Sequence, residues 1–308
     1  MNPIETHNLS RTYGRRLEAV HSLTLSIPQG GACALLGPNG AGKTTTLKML
    51  MNLLRPTSGF ATVLGVDARK LGPAQFEQIG HISENQKMPL HMTVRAFLDF
   101  CRSLYPSWDK AFESRLLALF ELPPDRKLKH LSRGMRMKTS LLSSLAYHPK
   151  LIIMDEPFSG LDPIVRDELM QGVLEFAGSG DWTLLISSHD MDDVERLIDS
   201  AAIIEQGKLL LHESLESLQQ RHRRVEVMPS QPAGQPGKPP APPISCIAFE
   251  STGMRARWIE TAFNPQTEQT YKASCPSASF TLHPMSLKEI YISTIKHTTS
   301  LKEMKGKA

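Results

Sequence analysis

Residues 37–44 read GPNGAGKT, a glycine-rich loop of the pattern GxxxxGK followed by Thr. Glycines let the backbone curl so that successive N–H groups point at phosphate oxygens, and a following helix adds the positive end of its dipole. Lys43 can bring a full charge to the β- and γ-phosphates, and the Thr44 hydroxyl can ligate Mg²⁺. The loop therefore predicts a nucleotide-phosphate site. Its predicted residues are Gly37, Pro38, Asn39, Gly40, Ala41, Gly42, Lys43, Thr44 and Thr45.

Two adjacent carboxylates, Asp155 and Glu156, follow the apolar run of residues 151–154. Open α/β sheets bind their ligands at the carboxyl ends of the strands, where this pair would lie. Asp155 would hold Mg²⁺ through water, and Glu156 would polarise the attacking water. Acidic pairs are as common in surface turns after strands, so by itself the pair favours neither interpretation.

The segments around these groups have the order that such a site requires. Residues 33–36 predict a buried parallel strand before the loop, and the apolar residues from 47 to 54 recur on one helix face. Two more apolar strands, at 151–154 and 183–187, flank a helical stretch at 164–176. Alternating strands and helices predict a parallel sheet with flanking helices.

The last third of the chain has a different composition. Residues 229–243, PSQPAGQPGKPPAPP, contain seven prolines and no large apolar residue, which predicts an extended linker. Short strands are predicted at 244–249, 257–262 and 280–282, and Ser286 begins a capping box that opens a helix. We expect a small α/β domain over residues 244–300.

Bulk composition excludes several classes of protein. The chain has 308 residues, with 40% hydrophobic and 21% charged, as in a soluble globular protein with room for a large and a small domain. The net charge of +4 is too mild to indicate nucleic acid, and the basic run at 221–224 favours a solvated helix end over a phosphate or lipid contact. The four cysteines form no CxxC pair and predict reduced thiols. We expect no signal peptide and no membrane-spanning segment.

Four further patterns match one family in their order along the chain. Residues 131–135, LSRGM, resemble the LSGGQ signature of ABC ATPases and lie between the glycine loop and the carboxylates. Residues 159–162 match the D-loop, His189 matches the switch histidine, and Tyr13 matches the aromatic residue that stacks on adenine. Over residues 1 to about 220 the chain is similar to the nucleotide-binding subunits of ABC transporters.

The resemblance implies an α/β fold of the P-loop NTPase type. An ABC ATPase cassette has a RecA-like parallel sheet core, an antiparallel β subdomain and a helical insert, here expected at about 88–148 within a nucleotide-binding domain of residues 1–222. The small α/β appendage would follow it. The subgroup that the chain looks like contains stand-alone cassettes of drug and polysaccharide exporters.

The resemblance also implies cofactors, partners and a location. ATP and Mg²⁺ would be bound by a head-to-tail homodimer or heterodimer of cassettes, and a transmembrane permease encoded by another chain would be driven by it. The protein would be cytoplasmic, held at the inner face of the membrane through the permease, and no direct contact with nucleic acid is expected.

The residue roles follow from the matching motifs. Glu156 would be the general base, His189 would contact the γ-phosphate, and Lys43 would complete the catalytic set. Ser132 and Gly134 of one copy would close over the ATP of the other. Asp162 of the D-loop is also expected to contribute to nucleotide binding.

The sequence departs from the family pattern in two motifs. In the signature, Arg133 stands where glycine is usual and Met135 where glutamine is usual. Glu84 stands at the usual glutamine position of the Q-loop, and Gln86, two residues later, is the alternative metal contact beside Thr44 and Asp155.

Three other functions are alternatives to transport. A soluble ABC ATPase acting on nucleic acid or ribosomes would usually carry a coiled coil, a zinc module or a second cassette, none of which the sequence indicates. A regulator that binds ATP without hydrolysing it would not need Glu156 and His189. A small P-loop kinase or GTPase has no place for the Ser132 signature.

Overall fold

The computed structural model describes residues 2–14, 17–84, 86–177, 182–229, 246–252, 255–274 and 278–306. The chain divides into two compact units, Met1–His212 and Glu213–Ala308. Of the predicted proline-rich linker at 229–243, only Pro229 is among the described residues, and it ends a strand. The predicted domain boundaries at 222 and 244 stay predictions.

The bounds of the elements are as follows. The strands are β1 (Ile4–Tyr13), β2 (Leu17–Ile27), β3 (Ala32–Leu36), β4 (Ser58–Val63), β5 (Val66–Asp67), β6 (Ile79–Ser83), β7 (Leu151–Asp155), β8 (Thr183–Ser188), β9 (Ser200–Glu205), β10 (Lys208–Ser214), β11 (Arg223–Pro229), β12 (Cys246–Thr252), β13 (Arg255–Glu260) and β14 (Ala278–Pro284). The helices are α1 (Lys43–Leu50), α2 (Pro73–Phe76), α3 (Val94–Leu104), α4 (Lys110–Leu119), α5 (Arg133–Leu145), α6 (Pro163–Ala177), α7 (Leu215–Arg221), α8 (Pro265–Ser274) and α9 (Leu287–Gly306).

The core of the first unit is a six-stranded sheet in the order β10-β9-β3-β8-β7-β6. β3 pairs in parallel with β8 and β9, and β7 pairs in parallel with β8 and β6. All residues of β3, β7 and β8 are buried, as expected for parallel strands with both faces covered. The loops after β3, β6, β7 and β8 therefore leave the sheet at one edge. The predicted parallel core is confirmed.

A second sheet of the first unit contains β2, β1, β4 and β5 in that order, paired antiparallel. In β2, Leu23, Leu25 and Ile27 are buried and alternate with exposed residues, because one face of the sheet packs on the core. The predicted antiparallel subdomain is present. β1 ends at Tyr13, and Ala19 of β2 lies beside the glycine loop, since its carbonyl oxygen is 2.3 Å from where a Cβ on Gly42 would lie.

The helical insert lies between β6 and β7 and contains α3, α4 and α5. Thr93 caps α3 by accepting from the N–H of Ala96 at 3.1 Å, which satisfies a donor that the first helical turn leaves unpaired. The buried Lys138 of α5 forms an ion pair with Glu168 of α6 at 2.6 Å. This contact ties the insert to the helix that follows the carboxylates.

The second unit contains a four-stranded antiparallel sheet in the order β12-β13-β11-β14. The predicted capping box is present, since Ser286 Oγ accepts from the N–H of Glu289 at 3.3 Å and Glu289 Oε2 accepts from the N–H of Ser286 at 3.0 Å. The solvated helix end predicted for the basic run at 221–224 is wrong beyond Arg221, since the next residues enter β11 and bury Val225.

No helix in the described part of the chain is long and apolar enough to cross a membrane.

Candidate nucleotide and magnesium site

The glycine loop fills the turn between β3 and α1. Gly42 has a φ of +105°, and a Cβ there would lie 2.3 Å from the carbonyl oxygen of Ala19, so no other residue fits without displacing backbone. The side chain of Lys43 is only 5% exposed. Its ammonium donates to the carbonyl oxygens of Gly37 at 2.6 Å and Pro38 at 3.2 Å. The loop therefore holds a buried cation at the place where phosphate oxygens would lie.

Asp155, the last residue of β7, accepts two hydrogen bonds from hydroxyl groups. Thr44 Oγ1 donates to Asp155 Oδ1 at 3.0 Å, and Ser187 Oγ donates to the same oxygen at 2.7 Å. Hydroxyl and carboxylate oxygens are ligands that Mg²⁺ prefers. Nearby, burial lowers the pKa of His81, so its ring adds no cation beside the carboxylate at neutral pH.

The donor set is sparse, as is usual for magnesium. Within the described ranges, no group of three His, Cys, Asp or Glu side chains could enclose a metal ion. Mg²⁺ is usually bound by one or two protein carboxylates together with substrate phosphates and water. Thr44 and Asp155 fit that mode. Ser187 was not predicted, although its polar position at the end of the apolar strand β8 is a usable signal.

Glu156 has an unusual backbone conformation for a non-glycine residue, with a φ of +51°. Such a conformation costs about 1–3 kcal/mol and persists where the surroundings enforce it. Here the N–H of Glu156 donates to Ser187 Oγ at 3.0 Å. Its carboxylate lies between two basic groups, with Oε2 2.7 Å from His189 Nδ1 and Oε1 3.0 Å from Lys43 Nζ. The strained backbone thus directs the carboxylate toward Lys43 and His189.

A cavity of about 580 Å³ lies over the loop and is lined by residues 38–45 together with Tyr13, Glu84 and Glu156. This volume falls within the range of small-molecule sites. The guanidinium of Arg11, which was not predicted, lies 4.9 Å from the centre of the Tyr13 ring. The structure therefore brings together the predicted aromatic residue, the loop and one of the two Q-loop candidates.

Other predicted residues lie outside the lining of this cavity. Ser132 Oγ accepts from the N–H of Met135 at 3.1 Å, which caps α5. Asp162 Oδ1 accepts from the N–H of Val165 at 3.0 Å at the start of α6. A Cβ on Gly134 would lie 2.8 Å from a methyl carbon of Val165, so the two helix starts pack closely. One chain alone does not place these residues at the glycine loop.

The two Q-loop candidates, Gln86 and Glu84, lie in different surroundings. Gln86 Oε1 accepts from Ser140 Oγ at 2.6 Å and faces a groove against α5. Glu84 lines the cavity, and its N–H donates to the carbonyl oxygen of Asp155 at 3.1 Å. The geometry favours Glu84 as the residue near the nucleotide.

A parallel sheet that carries a phosphate loop and paired carboxylates at its carboxyl edge defines the class, a P-loop nucleotide-binding protein. Comparisons with known proteins narrow this class. A family model described as ABC transporter matches residues 20–159. The bacitracin transport ATP-binding protein BcrA of Bacillus licheniformis is 33% identical over 223 residues, which is 72% of this chain and 72% of that protein. The chain belongs to the ATP-binding proteins of the ABC transporter family, and it is an ATPase of that family.

Two other relatives agree. An uncharacterized ABC transporter ATP-binding protein of Synechocystis is 33% identical over 228 residues, and the match covers 70% of this chain but only 63% of that protein. The Nod factor export ATP-binding protein I of Burkholderia orbicola is 35% identical over 211 residues, covering 67% of this chain and 69% of that protein.

Solved structures give the same family. The ATP-binding subunit of an ABC transporter superposes with a TM-score of 0.63 at 27% identity, covering 70% of this chain and 91% of that one. The predicted cassette fold is confirmed.

Proposed function

We propose that the chain is the energy-supplying subunit of an exporter, in which two cassettes hydrolyse ATP to drive a separate membrane permease. The observation that carries the proposal is the Glu156 carboxylate, held over the glycine loop between His189 and Lys43. A protein that only binds ATP has no need of a strained, poised carboxylate there. The outward direction is supported by the similarity to the Nod factor export protein.

In the proposed reaction each residue has one task. Lys43 and the loop N–H groups bind the β- and γ-phosphates, because fixed donors neutralise charge that grows in the transition state. Glu156 accepts a proton from the attacking water. His189 holds the Glu156 carboxylate in place and reaches the γ-phosphate. Thr44, Asp155 and Glu84 would hold Mg²⁺, which neutralises phosphate charge when bound.

The second half of the site comes from another copy of the chain. Ser132 and Gly134 lie at the N-terminus of α5, a helix of 13 residues, and neither of them lines the chain's own nucleotide cavity. A helix N-terminus presents N–H groups that favour a phosphate. Two chains placed head to tail would bring this terminus over the partner's γ-phosphate, so ATP would bridge the cassettes.

A groove beside the insert is the proposed contact with the permease. It has a volume of about 580 Å³ and includes Met88, Leu90, Arg136 and Met137. Leu90 is 46% exposed, which is high for a large apolar side chain next to other apolar residues. The groove combines apolar surface with basic side chains, which suits a short amphipathic segment of a membrane protein.

Affinity capture from detergent-solubilised membranes of the host would test the proposed partner. We expect the tagged chain to recover a protein with several membrane-spanning segments, and Leu90→Ser to reduce the yield. Leu53→Ser is the matched control, since Leu53 is 65% exposed and lies outside the groove. Recovery of ribosomal proteins or nucleic acid without a membrane protein would contradict the transport function and support the soluble alternative.

Tyr13 is the proposed adenine platform. Stacking of a base on an aromatic side chain contributes about 1–3 kcal/mol, so Tyr13→Ala should weaken ATP binding by roughly 5- to 150-fold. Tyr13→Phe keeps the ring and should bind like the unmodified chain. Isothermal titration calorimetry with ATP measures both, and equal losses in the two variants would contradict stacking.

A further inference from the structure

The guanidinium of Arg133 joins three loops of the cassette. Its Nη2 donates to Oε1 of Glu84, the residue that follows β6, at 2.5 Å. The same nitrogen donates at 2.7 Å to the carbonyl oxygen of Ser159, in the D-loop that follows the paired carboxylates. Arg133 itself is the first residue of α5 and follows Ser132. One side chain therefore connects the Q-loop, the D-loop and the signature within a single chain.

The D-loop leaves room for this side chain. Gly160 has a φ of +63°, and a Cβ there would lie 2.7 Å from Arg133 Nη1. The guanidinium thus lies directly against the Gly160 backbone. Both charged side chains are partly exposed, 47% for Arg133 and 30% for Glu84, so the pair adds little to the stability of the fold. Its importance lies in which loops it connects.

The two residues are complementary departures from the family pattern. The usual signature glycine has no side chain, and the usual Q-loop glutamine carries no charge, so neither could form this ion pair. Glu84 lines the nucleotide cavity, whereas Ser132 and Gly134 lie outside its lining. The pair therefore links the chain's own ATP site to the surface that would close a partner's site.

We propose that Arg133 and Glu84 form a latch that Mg²⁺-nucleotide must open. The inference rests on the proposed function, because it takes Glu84 as a metal-side residue. In this latch the two contacts of Glu84 are alternatives: a carboxylate that turns to a cation at the phosphates leaves the guanidinium at the start of α5. With Mg²⁺-nucleotide bound, Glu84 turns from Arg133 toward the phosphates in the cavity that it already lines, which frees Arg133 and with it the N-terminus of α5. Arg133 is thus a positioning residue.

The latch predicts an unusual direction for the change in nucleotide affinity when Arg133 is removed. Any free energy that the latch contributes must be subtracted from the binding of the ligand that breaks it. Removing Arg133 should therefore tighten nucleotide binding rather than weaken it. Because the ion pair is partly exposed and therefore weak, the expected gain in nucleotide affinity is about two- to fivefold. A guanidinium that simply bound phosphate would give the opposite sign.

Calorimetric titration with a non-hydrolysable ATP analogue tests the latch without relying on turnover. With Mg²⁺, Arg133→Ala should bind the analogue about two- to fivefold more tightly than the unmodified chain, and with EDTA the two should bind equally. In a Glu84→Gln background the same substitution should have no effect. Arg126→Ala is the matched control, because Arg126 is an exposed arginine that lines neither the nucleotide cavity nor the groove beside α5.

The outcomes separate the two proposals. Three results would each overturn the latch while leaving the ATPase assignment intact. The first is weaker binding of the analogue by Arg133→Ala. The other two are a gain in affinity on Arg133→Ala that is the same with EDTA as with Mg²⁺, or the same in the Glu84→Gln background as in the unmodified chain. Failure of the unmodified chain to bind the analogue at all would instead contradict the proposed function. Thermal unfolding of each variant checks that the exposed substitutions leave the fold unchanged.

Discussion

Replacing Glu156 with Gln is expected to lower steady-state ATP hydrolysis at least ~100-fold while leaving ATP binding intact. The amide has the shape of the carboxylate and can still contact His189, but it cannot take a proton from water. The position of the carboxylate, 2.7 Å from His189 Nδ1 and 3.0 Å from Lys43 Nζ, is the basis of the prediction. The loop N–H groups and Lys43 that bind phosphate are unchanged in this variant.

Phosphate release and calorimetric ATP binding measure the two halves of this prediction. Glu77→Gln is the matched control, because Glu77 is exposed and precedes β6, at the opposite edge of the sheet from the site. The control should hydrolyse ATP at the unmodified rate. Hydrolysis by the Glu156 variant at a similar rate would show that another group activates the water, and the proposed mechanism would then be wrong.

The sequence predicted the core of this site because local pattern and chain order determine it. Glu156 follows one apolar strand and the loop that carries Lys43 follows another, and parallel strands bring their carboxyl ends to one edge. The loop at 37–44 and the carboxylates at 155–156 are therefore expected near one another from the sequence alone. His189 and Tyr13 are identified only through the family resemblance, since a lone histidine or tyrosine has no distinguishing pattern.

What the sequence could not predict depends on contacts between distant residues. Arg133 and Glu84 are 49 positions apart, and no periodicity joins a helix start to the end of a strand. Ser187 is 32 positions from Asp155, and only the packing of β7 beside β8 reveals that it orients this carboxylate and the Glu156 backbone. These contacts required the three-dimensional structure.

The second unit shows a different limit. Among the side chains of β11 that the structure describes, two apolar ones are buried, Val225 and Val227. The run begins with arginines, so local composition indicates a solvated segment. The strand forms because β13 and β14 pair with it on both sides. Tertiary pairing outweighs local preference in such short strands.

Lys43→Ala should weaken ATP binding itself, in contrast to the Glu156 substitution. A hydrogen bond to a charged group contributes about 1.5–3 kcal/mol, which corresponds to roughly a 10- to 150-fold loss of affinity. The substitution also leaves the Glu156 carboxylate without its cation 3.0 Å away, which would repel an incoming phosphate. Hydrolysis at saturating ATP should fall as well, since Lys43 also faces the transition state.

Lys48→Ala is the matched control for this experiment, because Lys48 lies on the same helix but is exposed. Calorimetric titration with ATP should give the unmodified affinity for Lys48→Ala and a large loss for Lys43→Ala, with similar thermal unfolding for both. Equal affinities in the two variants would mean that the loop N–H groups alone hold the phosphates. In that case the buried ammonium, bonded to Gly37 and Pro38, would serve only to shape the loop.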